Sequence, residues 1–107
     1  MSASFADQLR SRSETIRIAG EGPRVTLRVQ YLEGWDAVRL EAPASSSVLS
    51  IKAAALAALA AGGQPAEDFV MKHRGVEILD ERMVLAAAGV PDHAILSVSH
   101  RRRRAVR

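Results

Sequence analysis

One segment of the chain, VLSIKAAALAALAA at residues 48–61, carries a helical period long enough to organise a domain around it. Val48, Ile51, Ala55, Leu56 and Leu59 recur at the spacing that puts them on one helix face. Ser45, Ser46 and Ser47 precede it with hydroxyl oxygens that can accept from the first unpaired N–H groups, and the alanines raise helix propensity. Gly62-Gly63 and Pro65 end it, because glycine accepts the left-handed cap and proline cannot continue the helix. A chain of 107 residues has room for one core, which must be built against this helix. With one Trp, one Tyr and two Phe in the sequence, small aliphatic side chains have to fill that core.

Ahead of the helix, Val25, Leu27, Val29 and Tyr31 alternate with Thr26, Arg28 and Gln30, the period of a half-buried strand. Leu32-Glu33-Gly34-Trp35-Asp36 turns the chain, and Val38, Leu40 and Ala42 then alternate with Arg39 and Glu41 up to Pro43. Together these segments predict an antiparallel hairpin. Behind the helix, Phe69 and Met71 alternate with Val70 and Lys72, and His73-Arg74-Gly75 turns into a very short strand at residues 76–79. Residues 83–88 fit a single helical turn closed by Gly89, and residues 95–100 alternate as a closing strand. The expected organisation is a flexible leader at 1–23, in which residues 15–18 offer a stray strand, one domain at 24–100, and an arginine-rich tail at 101–107.

The order hairpin, long helix, strand, short strand, helical turn, last strand resembles the β-grasp fold of ubiquitin-like proteins. Local features fall in the places that family would put them: the Leu32-Glu33-Gly34 turn, the Glu41-Ala42-Pro43 strand exit, and Ser50-Ile51-Lys52 on the helix. Arg74-Gly75-Val76-Glu77-Ile78-Leu79-Asp80, then Leu85 with Gly89-Val90-Pro91-Asp92, then Ile95-Leu96-Ser97-Val98 continue the correspondence, which covers most of the chain. The resemblance implies an α+β roll, a mixed four- to five-stranded sheet with one main helix packed across it and the last strand between the first and third. Its core would be Val25, Leu27, Val29, Val38, Leu40, Val48, Ile51, Leu56, Leu59, Phe69, Met71, Leu85, Leu96 and Val98. A narrower resemblance is to the small ubiquitin-like proteins of bacterial type VII secretion systems, which also lack a Gly-Gly end and close with a turn like Gly89-Val90-Pro91-Asp92. The alanine-rich, arginine-over-lysine composition points the same way, to a bacterium.

Composition removes several function classes. The absence of cysteine rules out disulfide frameworks, thiolate nucleophiles and zinc ribbons. His73, His93 and His100 share no metal-ligand spacing, the serines are better placed as caps than as nucleophiles, and neither glycine pair is placed to cradle phosphate. The reading is therefore a non-enzyme without cofactor or metal. No apolar stretch is long enough to span a bilayer, and MSASFADQLRSRSE has no apolar signal core, so the expected location is the cytoplasm.

A fold of this family implies function weakly, since ubiquitin-like domains serve as modifiers, sulfur carriers and binding modules. Conjugation needs a Gly-Gly tail, whereas this chain continues Arg101-Arg102-Arg103-Arg104-Ala105-Val106-Arg107. The expectation is a protein–protein interaction module, an adaptor or accessory subunit that is not conjugated, with a noncanonical modifier or a polyanion binder as alternatives. Of 15 basic residues, five lie in those last seven positions, leaving ten basic against twelve acidic residues before them, a net charge of −2. The basic character thus belongs to the tail. That tail reads as a solubilising terminus, as a contact for an acidic protein, or as a nucleic-acid or membrane-surface contact without aromatic residues for base stacking.

The open sheet face is expected to present Thr26, Arg28, Gln30, Val70, Lys72, Arg74, Ser97 and Ser99, either as a solvated surface or as a basic interface continuous with the tail. The ubiquitin surface is apolar there, so generic ubiquitin receptors should not bind this one. Trp35 in the hairpin turn is either an interface anchor or folded back over the sheet edge. The candidate protein-binding residues are Arg28, Trp35, Lys72, Arg74, Arg101, Arg102, Arg103 and Arg104.

Overall fold

A computed structural model describes residues 15–59 and 64–101. Its strands are β1 (Thr15–Arg17), β2 (Arg24–Tyr31), β3 (Asp36–Pro43), β4 (Phe69–His73), β5 (Val76–Glu77) and β6 (Ala94–His100), with one α-helix, α1 (Val48–Ala58), and a 3-10 turn at Ala66–Asp68. The six strands form one mixed sheet in the order β1-β3-β2-β6-β4-β5. β6 runs parallel to β2, and β4 runs antiparallel to β6, so the last strand lies between the first hairpin and β4 as expected. The sheet has more strands than the four or five expected, because Thr15–Arg17 pairs in parallel with β3.

The alternation of β2 and β3 fixes the hairpin register, with Leu27 opposite Leu40 and Val29 opposite Val38 on the core side. A one-residue slip would turn these apolar side chains to the other face. Gly34 is required in the turn because a Cβ there would come within 2.5 Å of the Tyr31 ring. β4 and β5 are joined by the two-residue turn Arg74-Gly75, both at positive φ, the geometry that matches strand twist in a tight hairpin.

Ser47 caps α1 by accepting from the Ser50 N–H at 3.1 Å, and the next two N–H groups, of Val48 and Leu49, donate to the carbonyls of Met83 (2.9 Å) and Glu81 (2.7 Å). Both helix and its cap are therefore tied to the segment before β6. That segment makes the expected single turn, Ala88 N–H donating to Val84 O at 3.0 Å. It closes with Gly89 at φ +78°, Gly89 N–H donating to Ala86 O and Val90 N–H to Leu85 O, the paired bonds of a Schellman motif. Asp92 Oδ1 then accepts from Thr26 N–H at 2.7 Å while Thr26 O accepts from His93 N–H, which starts β6 alongside β2.

The core lies between α1 and one sheet face. Of the fourteen core positions expected from sequence, all but Val25 are buried, and Val25 is half-buried against them. Tyr31, Ala42, Ala55, Val90 and Ala94 complete the packing. One member of the helix face is charged: Lys52 is wholly buried, its Nζ donating to Phe69 O at 2.9 Å and lying 2.6 Å from Glu81 Oε1. Removing one partner of such a pair strands the other charge in the interior. Glu81→Ala should therefore lower unfolding free energy by about 3 kcal/mol, and Lys52→Met by clearly less, because Glu81 keeps partial solvent access. Urea unfolding of the two variants measures this.

Candidate functional site

β2, β3, β4 and β6 each turn alternate residues away from α1, and the pairing registers align these into transverse rows across the open face. In one row Arg39 of β3 stands opposite Arg28 of β2, and Arg28 stands opposite Ile95 of β6. The pairing of β4 with β6 ends at His73 opposite Leu96, and the exposed Arg74 follows it in the β4–β5 turn, outside the paired register. Adjacent strands are about 4.8 Å apart, so Arg39, Arg28 and Ile95 span roughly 10 Å. Ile95 is 56% exposed, an aliphatic side chain beside the guanidinium-bearing Arg28.

The next row joins Gln30, Ser97, Lys72 and Glu77. The acids on this face are already engaged. Glu41 takes Arg17 through its Oε1 and lies 3.9 Å from Arg24 Nε, and Glu77 lies 3.7 Å from Arg101 Nη1. No described carboxylate pairs with Arg28, Arg39, Lys72 or Arg74. Like charges directly opposite across two strands are destabilising, so the Arg28–Arg39 pair does not serve the fold.

The structure brings together Arg28, Lys72 and Arg74 of the sequence candidates and adds Arg39 and Ile95. Their signal was present in the alternation of β3 and β6, where Arg39 and Ile95 occupy outward positions. Of the residues expected to be outward, Val70 does face away from α1 but is buried, so it adds no accessible surface.

Trp35 lies apart, in the turn at the far end of the hairpin. It is 88% exposed, which overturns the alternative that it folds back over the sheet edge. Its φ of +54° is a left-handed conformation that a residue with a Cβ adopts at a cost. Arg101 is held by the fold: its N–H donates to Asp68 O at 2.7 Å, and its guanidinium donates to Glu67 O at 3.1 Å and Phe69 O at 3.4 Å. Arg102, Arg103 and Arg104 lie outside the described residues.

Among the described residues no group of three or more His, Cys, Asp or Glu is arranged to hold a metal ion. His93 Nε2 lies 3.3 Å from Asp92 Oδ2 on an exposed turn, and His100 Nε2 lies 3.0 Å from Gln64 Oε1 while its ring stacks on Phe69. No described helix is long and apolar enough to cross a membrane.

No protein-family model matches the sequence, and no curated protein is significantly similar to it. Solved structures do match the fold. The C-terminal ubiquitin-like domain of mouse tubulin-specific chaperone e has a TM-score of 0.65 at 16% identity, the match covering 82% of this chain and 97% of that one. The ubiquitin-like domain of an Arabidopsis thaliana protein has a TM-score of 0.64 at 16% identity, covering 83% and 90%, and the ubiquitin of Caldiarchaeum subterraneum 0.63 at 15%, covering 76% and 98%. The fold is thus that of ubiquitin-like domains, the β-grasp. At these identities the likeness is one of architecture.

The exposure and backbone of Trp35 generate a test. Trp35→Gly removes the left-handed strain and buries nothing less, so stability should hold or rise by up to about 1 kcal/mol, read as an unchanged or higher midpoint in thermal unfolding. A drop would show that Trp35 packs in solution and serves the fold.

Proposed function

We propose that this chain is a non-catalytic ubiquitin-like interaction module that docks an acidic protein surface on its open sheet face, around Arg39, Arg28, Ile95 and Arg74. The observation that carries this reading is the row itself: Arg39 and Arg28 in register beside the exposed Ile95, without described carboxylate partners, and with Arg74 in the adjoining turn. Charge of one sign steers an oppositely charged partner and excludes a basic one, and the apolar contact adds what a uniformly charged surface lacks. A phosphate backbone would be served by the arginines alone, so Ile95 favours a protein over a nucleic acid. Trp35, exposed and strained at the hairpin end, is a candidate second anchor outside this row.

The narrower reading, an accessory protein of a bacterial type VII secretion system acting in the cytoplasm, rests on sequence resemblance and composition. Its Gly89-Val90-Pro91-Asp92 turn has a folding role, closing the Schellman motif and anchoring Thr26, which any domain entering β6 in this way would share. The turn therefore supports the fold more than the pathway.

A double charge reversal, Arg28→Glu with Arg39→Glu, tests the docking surface cleanly. It retains a like-charge pair at the same register, so folding should be little changed while the sign presented to a partner inverts. Captured from nuclease-treated native lysate, a protein bound by the full chain should be lost at least tenfold by the double variant. Equal capture by both chains would refute the open face as the site, capture abolished by nuclease would replace the protein partner with a nucleic acid, and adducts surviving denaturing gels would replace docking with conjugation.

A further inference from the structure

The β2–β3 turn and the start of the arginine tail, far apart in sequence, meet at one end of the sheet. β6 runs parallel to β2, so both strands finish on the same side of the domain. Leu32 N–H donates to Val98 O at 3.2 Å, and Glu33 Oε2 accepts from His100 N–H at 3.0 Å, which fastens the turn to the last residues of β6. Arg101 follows, pinned through its N–H to Asp68 O and through its guanidinium to the Glu67 and Phe69 carbonyls. Residues 102–107 therefore start beside the turn, and four of them are arginines, Arg102, Arg103, Arg104 and Arg107.

The turn presents apolar side chains to solvent, Leu32 at 53% and Trp35 at 88% exposure. The Trp35 backbone is held at φ +54°, a costly conformation for a bulky residue, between Gly34, which lies close against the Tyr31 ring, and Asp36, whose Oδ1 accepts from Ala37 N–H at 2.8 Å. An indole fixed outward at a cost, with a leucine in the same turn and a run of arginines starting next to it, has the chemistry of a contact with an anionic bilayer surface. Tryptophan partitions to the headgroup level, leucine adds apolar area, and each arginine near anionic lipid raises affinity about fivefold. Stable peripheral attachment takes two signals, and this end of the domain brings an apolar one and a cationic one together. Glu67 and Asp68 flank Arg101, but a chain of six residues can span roughly 20 Å, enough to carry the arginines past them. A nucleic acid would use the arginines and one face of the indole and would leave Leu32 without a role, so the apolar pair favours lipid.

We propose that this end of the domain, Leu32 and Trp35 together with the arginines from 102 onward, docks on an anionic lipid bilayer, the indole entering the headgroup region and the arginines meeting the anionic headgroups. The inference is independent of the open-face reading, since it uses the hairpin turn and the end of β6 and none of the outward rows.

Trp35 is the sole tryptophan of the chain, so its fluorescence reports on the proposed contact. With the full chain at low salt, vesicles of phosphatidylcholine and phosphatidylserine in equal parts should shift its emission to shorter wavelength, and brominated acyl chains should quench it. Vesicles of phosphatidylcholine alone should bind roughly 100-fold more weakly. Arg102→Gln, Arg103→Gln, Arg104→Gln and Arg107→Gln together should weaken co-sedimentation with the anionic vesicles by roughly 100-fold, and Trp35→Gly should weaken it about tenfold. Absence of co-sedimentation by the full chain would overturn the proposal. Co-sedimentation that leaves the emission unmoved, or that Trp35→Gly does not weaken, would reduce the contact to the charge of the tail and overturn it as well. Equal affinity for the neutral vesicles would remove the arginines from the contact and overturn it, and indole quenching by a single-stranded oligonucleotide without any response to vesicles would assign this end to a nucleic acid instead.

Discussion

The buried ammonium of Lys52 is the point on which the arrangement of this fold depends. Its Nζ is shared between Phe69 O, the first residue of β4, and Glu81 Oε1, in the segment leading to β6. Glu81 also accepts, through its backbone carbonyl, from the second N–H of α1. Helix, strand and loop thus meet at one cation. A desolvated charge is satisfied only with its partners in place, so shifted packings of the alanine-rich helix, whose small side chains would otherwise slide with little penalty, leave an unpaired ion in the core. Placing Phe69 relative to α1 also places β4, and β4 sets where Lys72 and Arg74 emerge on the far side of the sheet.

Much of this was legible in the sequence where a period extended over many residues. The hairpin, the helix, β4 and β6 announce themselves through alternation or helical spacing, and the turns between them through Gly34, Arg74-Gly75 and Gly89. What escaped depends on distant partners. The three residues of β1 could be read as a stray strand, but its place beside β3 is decided by Arg24 and Glu41, which no local pattern connects to it. Lys52 looks like a solvated residue in an alanine run, although its spacing of four from Val48 and from Leu56 puts it on the buried face. For the site, Arg28, Lys72 and Arg74 could be assigned to the outward side from alternation alone, but their alignment with Arg39 and Ile95 needs the registers of three strand pairs, which no single segment encodes.

The domain separates its tasks by face. The inner side of the sheet is given over to α1 and is as apolar as its few aromatics allow, with Tyr31 and Phe69 in edge-to-face contact at 6.1 Å. The outer side carries cations in excess, and the two sheet margins are treated differently: β5 is a two-residue hairpin arm, whereas β3 is covered by a returning piece of chain fastened by an arginine. The shared architecture with ubiquitin-like domains of low identity fits this division, since the inward pattern can be kept by many sequences while the outer face and edge are free to change.

The Arg28–Arg39 pair gives the sheet an unusual relation to its ionic surroundings. Added salt screens the repulsion between the two guanidinium groups over a Debye length of about 10 Å at 0.1 M, and so relieves the free domain. The same screening weakens attraction to an acidic surface. For a domain docking an acidic surface through these two side chains, ionic strength pushes folding and association in opposite directions.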